Sequence, residues 1–224
     1  MKLLKNIGLV TTLGIASTSV VAAELKTTEQ RISYLVGMNY GQQIKAEHIP
    51  LDEAAFMQAV KDALSDTPSR LTQEEAQATV AAFREQRQAQ ASKMADLNKK
   101  AGDEFLTANR NKPGVKETES GLQYKVIKAG SGKQPTPTDT VSVHYRGTLI
   151  DGTEFDSSYG RGQPASFPVN GVIPGWQEAL PMMKEGAKWE LYIPSDIAYG
   201  ERGAGGAIGP NSTLIFEVEL LEVK

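Results

Sequence analysis

The stretch VSVHYRGTLIDGTEFDSS, Val141 to Ser158, decides how the second half of the chain is read. Val141, Val143 and Tyr145 alternate with Ser142, His144 and Arg146, which is the period of a half-buried strand. Asp151-Gly152 is a turn signal, because both residues tolerate the positive φ that tight hairpins need. The stretch is therefore expected to form a β-hairpin whose far arm ends in Phe155 and Asp156. A carboxylate beside a large aromatic has two readings here. It caps the Ser157-Ser158 turn, or it is a charged group placed near a core for a purpose. The dipeptide alone leaves both open.

The same texture runs from Pro113-Gly114 to the end of the chain. Leu122, Tyr124 and Val126 alternate as a strand, and Phe167 and Val169 suggest another. Pro174-Gly175-Trp176 opens a short helix over 177–184, stopped at Gly186. Trp189, Leu191 and Ile193 form a strand ended by Pro194, and 198–211 is a Gly-rich loop. Leu214, Phe216, Val218 and Leu220 form the last strand. Five or six short antiparallel strands with one short helix make an α+β domain, a curved sheet folded over a helix.

Upstream of residue 112 there is almost no strand signal. Thr27 with Gln30 is a capping box for a first helix, whose Ile32, Leu35, Val36, Tyr40 and Ile44 mark an apolar face. That is too much apolar surface for a lone surface helix. Gly37 and Gly41 sit four apart, as they would where another helix backbone approaches closely. Asp52 caps a second helix, and Thr72 to Glu75 is a capping box for a third that meets no breaker before Gly102. Between Arg84 and Lys93 the third helix carries nothing apolar larger than Ala, as in a helix that bridges two bodies through solvent. Short helices of this kind bury little by themselves, so the N-terminal region is expected to dimerise. A monomeric helical hairpin packed on the C-terminal domain is the plainer alternative.

Residues 1–23 have the form of a signal peptide: Lys2 and Lys5, a short apolar run from Ile7 to Ile15, and Val21-Ala22-Ala23 as a cleavage site. The chain has 224 residues, no cysteine and a formal charge of −3. Without residues 1–23 the charge is about −5. Disulfides, thiol catalysis and zinc–thiolate sites are thereby excluded, and no basic run suggests nucleic acid. The expected division is 1–23 signal peptide, 24–70 helical dimerisation domain, 71–114 connecting helix and 115–224 catalytic or binding domain.

The usual catalytic sets are missing from the second domain. His48 and His144 are the two histidines, in different domains, and no metal-ligand spacing or phosphate-cradling loop is evident. No metal or cofactor is expected. What remains is aromatic. Tyr145, Phe155, Trp176, Tyr199 and Phe216 come from five separate elements. Trp176 opens a helix and Tyr199 lies in a Gly-rich loop, which are poor places for core fillers.

VHYRGTLIDGTEFDSS, GVIPGWQEALPMMKEG, IPSDIAYGERG and NSTLIFEVELLEV together resemble the FKBP-type peptidyl-prolyl isomerases, over about residues 115–224. The N-terminal half resembles the Mip-like (macrophage infectivity potentiator) bacterial group. The resemblance implies a half-open antiparallel sheet wrapped around the short helix, with a proline pocket between them. Trp176 would be the pocket floor, and Tyr145, Phe155, Val172, Ile173 and Phe216 its walls. The Ile173 N–H and the Tyr199 hydroxyl would hydrogen-bond substrate carbonyls, and Asp156 would lie beside the reacting amide, held by Tyr145 and Arg161. Ile208 would be a loop contact. Two positions depart from the family pattern, Ala165 and Ala204, where an aromatic residue and often a histidine are usual. Proline-containing unfolded or partly folded chains are the implied substrates, macrolide immunosuppressants possible ligands, and the periplasm, free or at the outer membrane, the implied location. A chaperone or ligand-binding module with an incidental isomerase site is the competing reading.

Overall fold

The structure, a computed structural model, describes residues 24–224. The expected signal peptide, residues 1–23, lies outside them. The chain separates into two compact units between Leu64 and Ser65.

The first unit contains α1 (Thr28–Ala46) and α2 (Glu53–Leu64). The Gln30 N–H donates to the Thr27 hydroxyl at 3.2 Å, and the Thr27 N–H donates to the Gln30 side chain at 3.1 Å. This is the capping box read from the sequence. His48, at φ 52°, turns the chain out of α1. The Asp52 carboxylate accepts the Ala55 N–H at 2.9 Å and starts α2. Neither helix buries a single residue. Ile32, Leu35 and Tyr40 are 56, 57 and 57% exposed, so the apolar stripe of α1 has no cover among the described residues.

The second unit begins with α3 (Gln73–Asn109), opened by the Thr72–Glu75 capping box. At 1.5 Å per residue it is roughly 55 Å long. Its early and middle turns are largely exposed, but Gly102, Leu106 and Asn109 are buried. With Asn98 and Phe105 they follow a spacing of three and four, one face of the helix, and that face packs on the sheet that follows.

Seven antiparallel strands form that sheet: β1 (Val115–Glu117), β2 (Gln123–Lys128), β3 (Thr140–Leu149), β4 (Glu154–Ser157), β5 (Ala165–Pro168), β6 (Lys188–Ile193) and β7 (Leu214–Val223). The order is β1-β2-β6-β7-β3-β4, with β5 also paired to β3. Val141, Val143 and Tyr145 point into the core as their alternation requires, and so do Leu214, Phe216, Val218 and Leu220. A bulge at Leu221, opposite the Ser142–Val143 step, then resets the phase so that Val223 also faces inward. The chain between β3 and β4 turns at Gly152, whose φ is 87°.

The concave face of the sheet holds α4 (Pro174–Ala179). The sequence pattern placed this helix at 177–184. It starts at Pro174, which suits a first helical turn, and it stops at Ala179, passing into a 3₁₀ turn over Leu180–Met182. Pro181 has no N–H to continue the ladder and its ring collides with the preceding turn, so an α-helix cannot pass it. Gly175 allows α4 to sit against the sheet: a Cβ there would be 2.6 Å from Ile193 Cγ2. Val169, read as a strand residue, lies in a 3₁₀ turn after β5 and is still buried.

Candidate functional site

A cavity of about 630 Å³ opens between α4 and the sheet. Its floor is Trp176, 3% exposed, whose indole meets Tyr145 and Phe216 edge to face at ring-centre separations of 5.6 and 5.2 Å. Phe155 meets Phe216 in the same way at 5.5 Å. Rings packed edge to face attract through their quadrupoles, which fixes the walls. Val172 and Ile173 form the side next to α4, and Tyr199 and Ile208 the side formed by the loop before β7. The Ile173 N–H has no acceptor among the described residues.

Local folding explains these placements. Tyr145 is the third inward residue of β3, and β4 runs beside it with Asp156 paired to Gly147. Gly147 must be glycine, because a Cβ there would lie 2.6 Å from the Phe155 ring and 2.8 Å from the Phe216 ring. Ser158 is fully buried, and its hydroxyl accepts the Tyr145 N–H at 2.8 Å. The turn after it, closed by the Arg161 N–H on the Ser158 carbonyl at 3.2 Å, brings Arg161 back beneath Asp156.

Asp156 is thus held from two sides. The Tyr145 hydroxyl donates to Oδ2, and Arg161 Nη1 donates to Oδ1 at 2.5 Å. Arg161 Nη2 also donates to the Tyr145 hydroxyl at 2.7 Å, closing a triangle. Burial pushes the Asp156 carboxyl up, but the donors Tyr145 and Arg161 outweigh it and hold it below its ordinary value. Burial first, and then the carboxylate beside it, push the Tyr145 hydroxyl above its ordinary value, so it remains a donor.

The sign follows from linkage. A depressed folded-state value means that this triangle stabilises the fold above the ordinary value of 3.8 and is lost as pH falls through the lower, folded value. Any acid limb in kcat/KM caused by Asp156 is therefore expected below the usual carboxylate range. Arg161→Gln removes lowering contacts and leaves burial in place, so the limb should move to higher pH. A pH–rate profile of both proteins measures this, and an unmoved limb would show that Asp156 does not set it.

Every residue that the sequence pointed to lines this cavity, apart from Arg161, which lies behind Asp156 and holds it. Ala204 is in the lining, whereas Ala165 sits in β5 outside it. Sequence reasoning missed Phe167, which meets Trp176 edge to face at 6.1 Å. Its signal was present, since the alternation that marked β5 also puts Phe167 on the inward face. Ser158 and Gly147 had no signal beyond turn and strand composition.

Comparison with known proteins gives the family. A family model described as FKBP-type peptidyl-prolyl cis-trans isomerase matches residues 131–221, and one described as the domain amino terminal to FKBP-type peptidyl-prolyl isomerase matches residues 29–126. The fold is that of an FKBP-type peptidyl-prolyl cis-trans isomerase, and the chain belongs to that family. Among its relatives, the peptidyl-prolyl cis-trans isomerase Mip of Coxiella burnetii is 46% identical over 214 residues, covering 94% of this chain and 93% of that protein. Outer membrane protein MIP of Legionella longbeachae is 43% identical over 220 residues, covering 95% and 94%. The crystal structure of FkpA from Escherichia coli superposes with a TM-score of 0.63 at 42% identity, covering 90% of this chain and 99% of that one.

Proposed function

We propose that this isomerase is exported and assists the folding of proline-containing polypeptides in the cell envelope, by non-covalent stabilisation of a twisted Xaa–Pro amide. The observation that carries this is the cavity itself: an aromatic box with one polar corner, where Tyr145, Asp156 and Arg161 bind one another. The pyrrolidine ring would rest on Trp176, against Tyr145, Phe155, Val172 and Phe216. The Ile173 N–H and the Tyr199 hydroxyl would bind carbonyls on either side, with Ile208 against the flanking chain.

The physics needs no bond to break. Rotation about the amide faces a barrier of about 18–20 kcal/mol. Twisting ends the resonance, so the carbonyl becomes less polar and the nitrogen more basic. An apolar cavity disfavours the planar, well-solvated ground state relative to the twisted one. Fixed donors and the Asp156 charge add to this in place of reorganising water. An acceleration of about 10⁴ requires only ~5.5 kcal/mol.

The relatives named Mip and outer membrane protein MIP support an envelope location, as does the form of residues 1–23. No helix among the described residues is long and apolar enough to cross a membrane. The uncovered apolar stripe of α1 supports a homodimer formed through the N-terminal helices, and a chaperone contribution from the same region. Macrolide immunosuppressants are candidate ligands of the same cavity, to which Ala204 offers only a methyl group for contact.

Two comparisons test this. Tyr199→Phe should slow both peptide isomerisation and the refolding of a proline-limited client; if refolding is unaffected while isomerisation is lost, the site does not serve that client. Leu35→Glu should turn a sedimenting dimer into a monomer, and a wild-type chain that sediments as a monomer would remove the dimer reading.

A further inference from the structure

The loop between β6 and β7 forms one rim of the cavity, and its base is fastened to α3. The loop is a small closed hairpin. Ala204 and Ile208 exchange both backbone hydrogen bonds, at 2.9 and 3.0 Å, and the Asn211 N–H donates to the Gly200 carbonyl at 2.8 Å. Tyr199 leaves one arm and Ile208 the other, and both line the cavity. Tyr199 is 41% exposed whereas Trp176 is 3% exposed, so this hairpin is at the mouth and Trp176 at the bottom. If the cavity holds the substrate proline on its floor, this hairpin is one of the surfaces that the flanking residues would meet at the mouth.

Asn98, half-buried on α3, holds the hairpin's outgoing arm. Its Nδ2 donates to the Pro210 carbonyl at 2.8 Å and reaches the Ser212 hydroxyl at 3.4 Å. Gly209 fits tightly against it, since a Cβ at 209 would be 3.0 Å from Asn98 Nδ2. One turn further, Gly102 brings the helix down onto Thr213, where a Cβ would meet Thr213 Oγ1 at 2.3 Å. The helix thus sets the position of the arm two residues beyond Ile208.

We propose that Asn98 is a positioning residue for substrate selection: through Pro210 and Ser212 it places the Tyr199–Ile208 hairpin against the residues flanking the substrate proline. This rests on the reading of the cavity as the isomerase site, and Tyr199→Phe is the control for that reading.

The test uses the full chain and a set of short peptides that differ only in the residue before proline, from Ala to Leu to Phe. Asn98→Asp keeps the shape but turns an amide donor into a carboxylate facing a carbonyl, and Asn98→Ala removes the contact. Both should change the ratio of kcat/KM between the Ala and Phe peptides by roughly threefold to tenfold, the range that one ordinary hydrogen bond delivers. The effect of Asn98→Asp should be smaller when Ile208→Ala is already present, because the two then act through one element. A loss that is equal for every peptide, following a fall in melting temperature, would make Asn98 merely structural and overturn the proposal, as would no change at all. If Tyr199→Phe and Trp176→Phe together leave all rates unaltered, the cavity is not the site and both readings fall together.

Discussion

Asp156→Ala is expected to lower kcat/KM for a short Xaa–Pro peptide by roughly 10- to 100-fold, equivalent to ~1.4–2.7 kcal/mol of transition-state stabilisation. The loss should fall mainly on kcat. The carboxylate is the charged group lining the cavity, and in the proposed binding mode it would lie beside the amide whose electron distribution changes on twisting. An interaction made only in the twisted state affects kcat and kcat/KM alike. The fold should survive. The Asp156 side chain is 44% exposed, and the Arg161 side chain, 47% exposed, is easily rehydrated when its partner is removed. The Tyr145 hydroxyl keeps Arg161 as a neighbour. A variant with unchanged kcat/KM would show that the apolar cavity alone carries the catalysis.

Trp176→Ala should have the largest effect on stability. The indole is buried against Tyr145, Phe167 and Phe216, and truncating a buried tryptophan typically costs about 3–5 kcal/mol, part of it from the cavity that cannot close. For a unit of this size the corresponding fall in melting temperature is roughly 6–20 °C. Calorimetry of the two proteins measures it. Trp176→Phe should fare much better. It keeps an aromatic floor, and it removes the indole N–H, which is buried without an acceptor among the described residues. If Trp176→Ala melts within a degree or two of the wild type, the packing assigned to the floor is wrong.

Much of this was legible in sequence because the signals were local. The capping boxes at Thr27 and Thr72, the alternation in β3 and β7, and the Asp151-Gly152 turn each depend on a few adjacent residues. The site was legible in a different way. Tyr145, Trp176 and Tyr199 stood out by residue type and placement, but their roles, and that of Asp156, emerged only when the family resemblance joined segments that the fold brings together. Asp156 shows the difference: its neighbours in sequence allow a turn cap, but its partners, Tyr145 and Arg161, lie 11 and 5 residues away.

What escaped was long-range and small. Nothing in the α3 sequence reveals that Asn98 reaches Pro210, 112 residues away, or that Gly102 makes room for Thr213. Asn109 and Gln123 are polar residues that read as surface, yet both are fully buried and joined by a hydrogen bond of 2.9 Å. The end of α3 is part of the folded body that carries the cavity, and only the register of helix against sheet makes that visible. The end of α4 was missed for a local reason, the imino nitrogen of Pro181.

The central claim is that this cavity lowers the barrier to amide rotation without moving a proton. The most direct measurement is the cis–trans exchange rate of a short Xaa–Pro peptide with and without the protein, in H₂O and in D₂O. Catalysis that is equally fast in the two solvents is the expected result. Catalysis that slows in D₂O would place a proton transfer in the rate-limiting step and contradict it.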